Sequence, residues 1–364
     1  LREAVIQYAP ILSIGAIFLP FLPVFALAPL LPLAMGPVET YGDITPRTAA
    51  WATRRLEKRG IPKMMIEHVA ESRPIPQNAT NVVIFRRYEA FPLNVTPLLE
   101  GVTPASTKIT KTDISAILTQ YGMVWEGSDV IGLTHEDQVL QEVMNALGEN
   151  AAQVLETVRF NIFAAGTNVI YNNLAAGRAS VASKLDRPSI RRAVAALKRQ
   201  NAEMLTELLG TTPNFNKVSV QASYIAGYHP DLDSSIRDLP GFKDSSDYTQ
   251  KSPYGNEIGS LEGVRFLWTQ IFVPFADAGG TAGGNFRSTT GTSCDVYPIL
   301  YFARGGAAIV PLKGSGAITP MVWQAKVTES DPMAQRNKAS WKALHTAAIT
   351  NQNWLLRHEV AAPV

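Results

Sequence analysis

The chain has 364 residues, a net charge of +2, 46% hydrophobic residues and 18% charged residues. That apolar content supports a sizeable core and excludes wholesale disorder, and the near-balanced charge excludes a protein whose main work is gripping nucleic acid through its phosphates. A single cysteine, Cys294, excludes an internal disulfide and a thiolate metal cluster, and five histidines leave little stock for metal or acid–base chemistry.

The first residues differ from the rest. No charged side chain lies between Glu3 and Glu39, and Ala9 to Ala34 is almost wholly apolar. The stretch is long enough to span a bilayer. Pro10, Pro20, Pro23, Pro29 and Pro32 interrupt it, and each removes a helix hydrogen bond. The reading is upstream translation or a dispensable arm over residues 1–34, with Met35 as the start. The alternatives are a membrane-seeking or packing segment, or a signal peptide ending near Ala26-Leu27-Ala28.

Thr45 to Arg59 reads as an amphipathic helix capped by Thr45, with Pro46 in its first turn, and a short helix follows over Lys63 to Glu71. Asn81 to Phe91 and Asp113 to Val124 read as strands. The segment between them carries Pro92, Pro97, Gly101 and Pro104 and is too long for a compact turn. A long hairpin with an irregular tip over Val95 to Lys108 is expected, and its apolar residues want a partner surface. The bland alternative is a loose surface loop.

Thr134 to Ala165 carries the strongest local signal. Leu140, Val143, Leu147, Val154 and Val158 recur at helical spacing, and Gly166 ends the run. This predicts a helix of about 30 residues, some 45 Å long at 1.5 Å per residue. A further helix is expected over Arg187 to Leu209. Strands are expected over Val220 to Tyr228, Val264 to Ile271, Asp295 to Phe302, Ala307 to Leu312, Ile318 to Thr328 and Leu344 to Glu359. Helices and strands mix without regular alternation, so the fold class is α+β.

Chemistry is scarce. Gly279 to Asn285 has the glycines of a phosphate loop but lacks its Lys and Ser/Thr, so a flexible surface loop is the better account. His135-Glu136-Asp137 fans around a helix start and cannot converge on one ion. His229, Asp231 and Asp233 are ligand types, but Pro230 and the helix-like stretch after it suggest a capped turn. Cys294 reads as a small buried hydrophobe. No catalytic, cofactor-binding or metal-binding residue is assigned.

Several stretches carry a resemblance. They include Thr40-Tyr41-Gly42-Asp43-Ile44-Thr45-Pro46-Arg47, Phe85-Arg86-Arg87-Tyr88-Glu89 and Thr96-Pro97-Leu98-Leu99-Glu100-Gly101-Val102-Thr103-Pro104. Gln120-Tyr121-Gly122, Thr134-His135-Glu136-Asp137, Ala165-Gly166-Thr167-Asn168-Val169 and His229-Pro230-Asp231 follow. Arg237-Asp238-Leu239-Pro240-Gly241-Phe242, Val310-Pro311-Leu312-Lys313-Gly314 and Ile318-Thr319-Pro320-Met321 complete the set. Each is weak alone; in this order they resemble the major capsid protein of Schitoviridae-type (enquatrovirus-like) tailed bacteriophages.

The resemblance implies a Hong Kong 97-type capsid fold. It implies an N-terminal arm over residues 36–75, an extended loop over 76–130, a peripheral domain with its spine helix over 131–186 and 318–360, and an axial domain over 187–317. Phe91, Leu93, Val95, Leu98, Leu99 and Val102 would make inter-subunit contacts from the extended loop. The implied partners are the chain itself as hexamers and pentamers, a portal, scaffold or cementing proteins, and packaged double-stranded DNA held non-specifically, with no membrane and no cofactor. The implied place is the virion capsid, assembled in the bacterial host cytoplasm. The rival functions are an encapsulin-like cellular compartment shell and an enzyme with an unrecognised site.

Overall fold

The computed structural model describes residues 65–78, 80–130, 139–209, 217–248, 254–313, 319–323, 327 and 332–364. The expected features at Leu1 to Ala34, Thr45 to Arg59 and His135-Glu136-Asp137 lie outside these residues. The chain divides into two units. The larger draws on residues 49–125, 140–322 and 339–364, and the smaller on 1–48, 126–139 and 323–338.

The described chain opens with a short helix α1 (Ile66–Val69) and a two-residue strand β1 (Glu71–Ser72). Strands β2 (Val82–Tyr88) and β3 (Lys111–Ile117) pair antiparallel, from Val82 opposite Ile117 to Tyr88 opposite Lys111. The single strand expected over Asp113 to Val124 is two. Leu118 breaks it by donating its N–H to the Asn81 carbonyl at 2.8 Å, which closes the hairpin base. Beyond it β4 (Thr119–Ser128) leaves the hairpin.

Helix α2 (Val139–Ala164) has 26 residues and is about 39 Å long at 1.5 Å per residue. Two separate cores lie along it. Leu147, Ala151 and Leu155 are buried, with Val143 and Val154 partly so, against Ala339, Trp341 and Ala343. One to two turns on, Phe160 and Phe163 pack with Met65, Ile66, Phe272 and Phe302. Phe160 stacks on Phe272 with ring centroids 4.7 Å apart. Val158, expected to face in, is half-buried.

Between these cores the helix carries charge. Glu156 and Arg159 are buried, joined at 3.2 Å. Glu156 Oε1 also accepts the Ile66 N–H at 2.7 Å, which pins the start of α1 to the helix. Arg159 Nε donates to His345 Nε2 at 2.9 Å. Burial pushes the Glu156 carboxyl up, against the pull of the Ile66 N–H and Arg159. Burial, then the Arg159 charge, drives His345 down to about 3.

After β5 (Val169–Tyr171), helix α3 (Arg187–Arg199) starts where Asp186 accepts the Ser189 N–H at 3.2 Å and Pro188 suits the first turn. Its buried residues Ile190, Ala193, Val194 and Leu197 repeat at helical spacing. The helix expected to Leu209 stops at Arg199. Asn201 turns left-handed at φ 52°, and β6 (Leu205–Leu209) pairs antiparallel with β7 (Lys217–Tyr228). Short-range periodicity cannot see that partner. The remaining elements are α4 (Asp233–Arg237), β8 (Lys243–Asp244), β9 (Glu257–Leu261), β10 (Val264–Trp268), β11 (Val296–Phe302), β12 (Ala307–Pro311), β13 (Thr319–Trp323), β14 (Arg336–Ile349) and β15 (Leu355–Ala361).

Eight strands form one mixed sheet in the order β5-β15-β11-β7-β10-β9-β8, with β6 also on β7. One face packs on α3 through Tyr224, Tyr228, Phe266, Ile299 and Tyr301. The other, through Ile225, Leu267, Leu300, Phe302 and Leu355, packs on α2 and Met65. Gly227 allows that closeness, since a Cβ there would meet Phe272 at 2.6 Å and Met65 at 2.8 Å. Pro298 fits inside β11 because β7 pairing begins only at Leu300, so no ladder donor is missed on that side.

A second sheet has the order β1-β12-β14-β13, with β4 also on β14. The strand expected over Leu344 to Glu359 is therefore two strands in two sheets. Thr350 and Asn351 both donate to the Gly306 carbonyl and make the turn between them. In the smaller unit, Asp129 N–H donates to the Gln335 carbonyl at 2.9 Å, and Glu126 pairs with Arg336 and Lys338 at 3.5 and 3.6 Å. Helices and strands are both abundant and interleaved, so the α+β class holds.

Candidate assembly interface

The β2–β3 hairpin has two unlike faces, as alternation along a strand requires. Phe85 and Ala116 are buried, and with Val83 and Ile114 they pack on Ile75, Ala308, Val310 and Ala348. The opposite face exposes Ile84 and Ile117, and farther along Arg86 grips Asp113 with a two-pronged ion pair at 2.8 and 3.1 Å. That hydrogen bond holds the Asp113 carboxyl below its ordinary range. At the end of the ladder Glu89 accepts from the Thr112 and Thr110 hydroxyls at 2.9 and 3.2 Å, which also lowers its carboxyl.

Beyond Glu89 the regular pairing stops. Every residue from Tyr88 to Lys111 is exposed. Local bonds shape the segment: Asn94 Oδ1 accepts the Thr96 N–H at 3.0 Å, and Val102 N–H donates to Leu99 O at 3.2 Å across a turn with Gly101 at φ 75°. Pro92, Pro97 and Pro104 supply no N–H for a ladder. Phe91, Leu93, Val95, Leu98, Leu99 and Val102 are between 60% and 90% exposed. Tyr88 and Ile109 are bare as well, and so are Ile84 and Ile117 on the hairpin shaft. The sequence reading missed these four; for Ile84, Tyr88 and Ile117 the alternation along the strands was legible, whereas Ile109 lies outside both strands. The irregular segment is also wider than the expected Val95 to Lys108. Large apolar surfaces of this kind mark interaction sites.

The other flagged residues have local tasks. Asp231 accepts from Tyr297 Oη at 2.7 Å and pairs with Arg287 at 3.0 Å, while Asp233 accepts from Tyr228 Oη at 2.8 Å and pairs with Arg237. His229 Nδ1 accepts the Asp231 N–H at 3.2 Å as a cap. Among the described residues no group of three His, Cys, Asp or Glu is placed to hold a metal. The Gly279 to Asn285 loop is pinned rather than loose. Gly279 and Ala282 donate to Cys294 and Thr292, Gly280 donates to Val181, and a Cβ on Gly279 would meet the Val181 carbonyl at 2.6 Å. Cys294 is buried, and burial pushes its thiol up. No helix among the described residues is long and apolar enough to cross a membrane.

Known proteins give this architecture a context. In solved structures the chain is similar in fold to the capsid of Ralstonia phage GP4, with a TM-score of 0.62 at 13% identity over 90% of this chain and 98% of that one. The cyanophage Pam1 capsid gives 0.57 at 10% identity over 92% and 99%. The SrpI encapsulin of Synechococcus elongatus PCC 7942 gives 0.53 at 9% identity over 87% and 92%. No curated protein matches the chain in sequence. The sequence pattern of the family described as phage capsid protein matches residues 111–356, well over half of the chain, and the chain therefore belongs to that family.

Proposed function

We propose that this chain is the major capsid protein of a Schitoviridae-type tailed phage, assembling as hexamers and pentamers into an icosahedral head around double-stranded DNA. A portal and scaffold or cementing proteins complete the reading, with assembly in the host cytoplasm. The observation that carries it is the β2–β3 hairpin, whose segment from Tyr88 to Lys111 is exposed throughout and studded with large apolar side chains. A side chain such as Leu gains about 1.5–3 kcal/mol on full burial. Here neighbouring copies supply the cover, and Phe91, Leu93, Val95, Leu98, Leu99 and Val102 make the contact.

In this reading residues 76–130 are the extended loop and α2 is the spine helix. The arm over 36–75 is tied down at its end by β1 on β12 and by the Ile66 N–H on Glu156. The axial domain over 187–317 is built on the eight-stranded sheet, which β15 joins from the C-terminal stretch. The chemistry is that of a shell, in which repeated interfaces do the work.

Electron microscopy of the purified full chain tests this: closed shells are expected. Deleting Val95 to Lys108 should leave a folded subunit that forms none, and normal shells from the deletion would reject the loop's role. The encapsulin-like alternative keeps the fold but packages enzymes. Portal and terminase genes beside this one favour the phage head, and a cargo-enzyme gene favours the compartment.

A further inference from the structure

The turn after β5 is strained, and no burial among the described residues offsets the strain. Asn173 and Leu174 are consecutive left-handed residues, at φ 50° and 56°. Asparagine tolerates this region; a leucine Cβ is crowded there. Among the described non-glycine residues of positive φ, which are Asn78, Asn173, Leu174, Asn201, Glu262, Asp277 and Ala334, Leu174 is the one large apolar side chain. It is 80% exposed, so burial within the subunit does not offset the strain.

The surroundings hold this conformation rigidly. Asn172 is buried, and its Nδ2 donates to Ser183 Oγ at 2.9 Å and to the Lys184 carbonyl. Ala175 N–H donates to Asn172 O at 3.1 Å. On one side β5 is paired to β15, and on the other Arg178 forks onto the buried Glu359 at 2.8 and 2.7 Å. A strained backbone that its neighbours over-determine is a mark of function. A turn whose backbone is already held in place also loses little backbone entropy when it docks.

We propose that Leu174 is an anchor that inserts into an apolar depression on a second copy of this chain. From Phe160 to Gly177 there is no charged side chain, so the turn offers nothing to a phosphate backbone and suits an uncharged protein surface. The β5 strand before it ends the eight-stranded sheet, and its outer edge can form the rim of the same contact. This rests on the shell reading, in which copies of the chain cover one another.

The test compares the full-length wild type with Leu174→Asn and Leu174→Asp. Asparagine accepts the left-handed region, so L174N is expected to melt at or above the wild-type temperature below the assembly threshold. Both variants are expected to need roughly tenfold more protein, or greater, to form shells. A photo-crosslinking residue at position 174 in particles formed with excess wild-type chain should yield a two-chain product. Variants that assemble at the wild-type concentration, or a crosslinker that reacts only within its own chain, overturn the proposal and leave the shell reading standing. A wild-type chain that forms no shells overturns both.

Discussion

From Phe91 to Leu99 the chain reads Phe-Pro-Leu-Asn-Val-Thr-Pro-Leu-Leu, and from Val296 to Phe302 it reads Val-Tyr-Pro-Ile-Leu-Tyr-Phe. Both are apolar and both contain proline. The first is exposed at every position, and the second is β11, buried at every position. Hydrophobicity alone does not separate them. β11 has a full ladder to β15, a partial one to β7, and helices on both faces of its sheet. The hairpin tip has three prolines without ladder donors and no layer over it among the described residues. An apolar segment without backbone pairing is left open to a partner, and in the proposed reading a neighbouring copy covers it.

The contrast can be broken most violently in β11. Ile299→Asp puts an unpaired charge between α3 and the sheet and should cost at least about 4 kcal/mol, a large share of a domain's usual stability. A subunit that shows no cooperative melt by circular dichroism is expected; a wild-type melt would mean that this face is not the core. The mirror experiment is Leu98→Asp at the tip. It should leave the melt of the unassembled subunit within about 0.5 kcal/mol of wild type and abolish shells in the microscope. A destabilised subunit would show that the tip packs on its own chain.

Acid should sharpen the same comparison, because the buried sheets carry histidines and the hairpin carries none. His345 and His358 are both driven down to about 3, chiefly by burial. Their folded values lie below the unfolded value of about 6.5, so the neutral rings contribute stability that is fully present above pH 6.5 and is lost as pH falls toward 3. Each accounts for an effect on the order of 4 kcal/mol. Stability measured by denaturant titration between pH 7 and pH 4 should fall steeply, and His345→Gln should flatten that slope. An unchanged slope would show that His345 is not held neutral. Glu156 works the other way, since a carboxyl raised by burial favours the folded state at lower pH, and the histidines must outweigh it.

The smallest effect is expected on the hairpin shaft. The Arg86–Asp113 pair is well formed but lies in solvent, where screening and side-chain entropy cancel most of the attraction. Arg86→Ala should leave the melting temperature unchanged within error, and a clear drop would mean that the shaft, unlike the tip, depends on its own side chains.

Local pattern was enough for some elements. The 3.6-residue spacing of Val143, Leu147, Val154 and their neighbours announced α2, because a long helix satisfies its own backbone and needs only one apolar stripe. The long segment between the two expected strands announced an irregular tip over Val95 to Lys108, because Pro92, Pro97 and Pro104 each remove a ladder donor. The helix start expected at Arg187 holds for a similarly local reason, with Asp186 capping the Ser189 N–H and Pro188 in the first turn.

Other decisions belonged to tertiary structure. Leu205 to Leu209 continues the apolar spacing of α3, yet it is a strand, because β7 lies alongside to pair with it. Leu118 and Thr350 look no different from their neighbours, yet each ends a strand by a hydrogen bond to a carbonyl distant in sequence, Asn81 and Gly306. The bare faces of Tyr88, Ile84 and Ile117, and the left-handed Leu174, are likewise invisible in composition. Sequence by itself determined which segments are apolar and which backbones can be self-sufficient. The folded chain alone decided which apolar segments find a second layer and which are left open, because strand pairing and burial are made with partners that the local sequence does not contain.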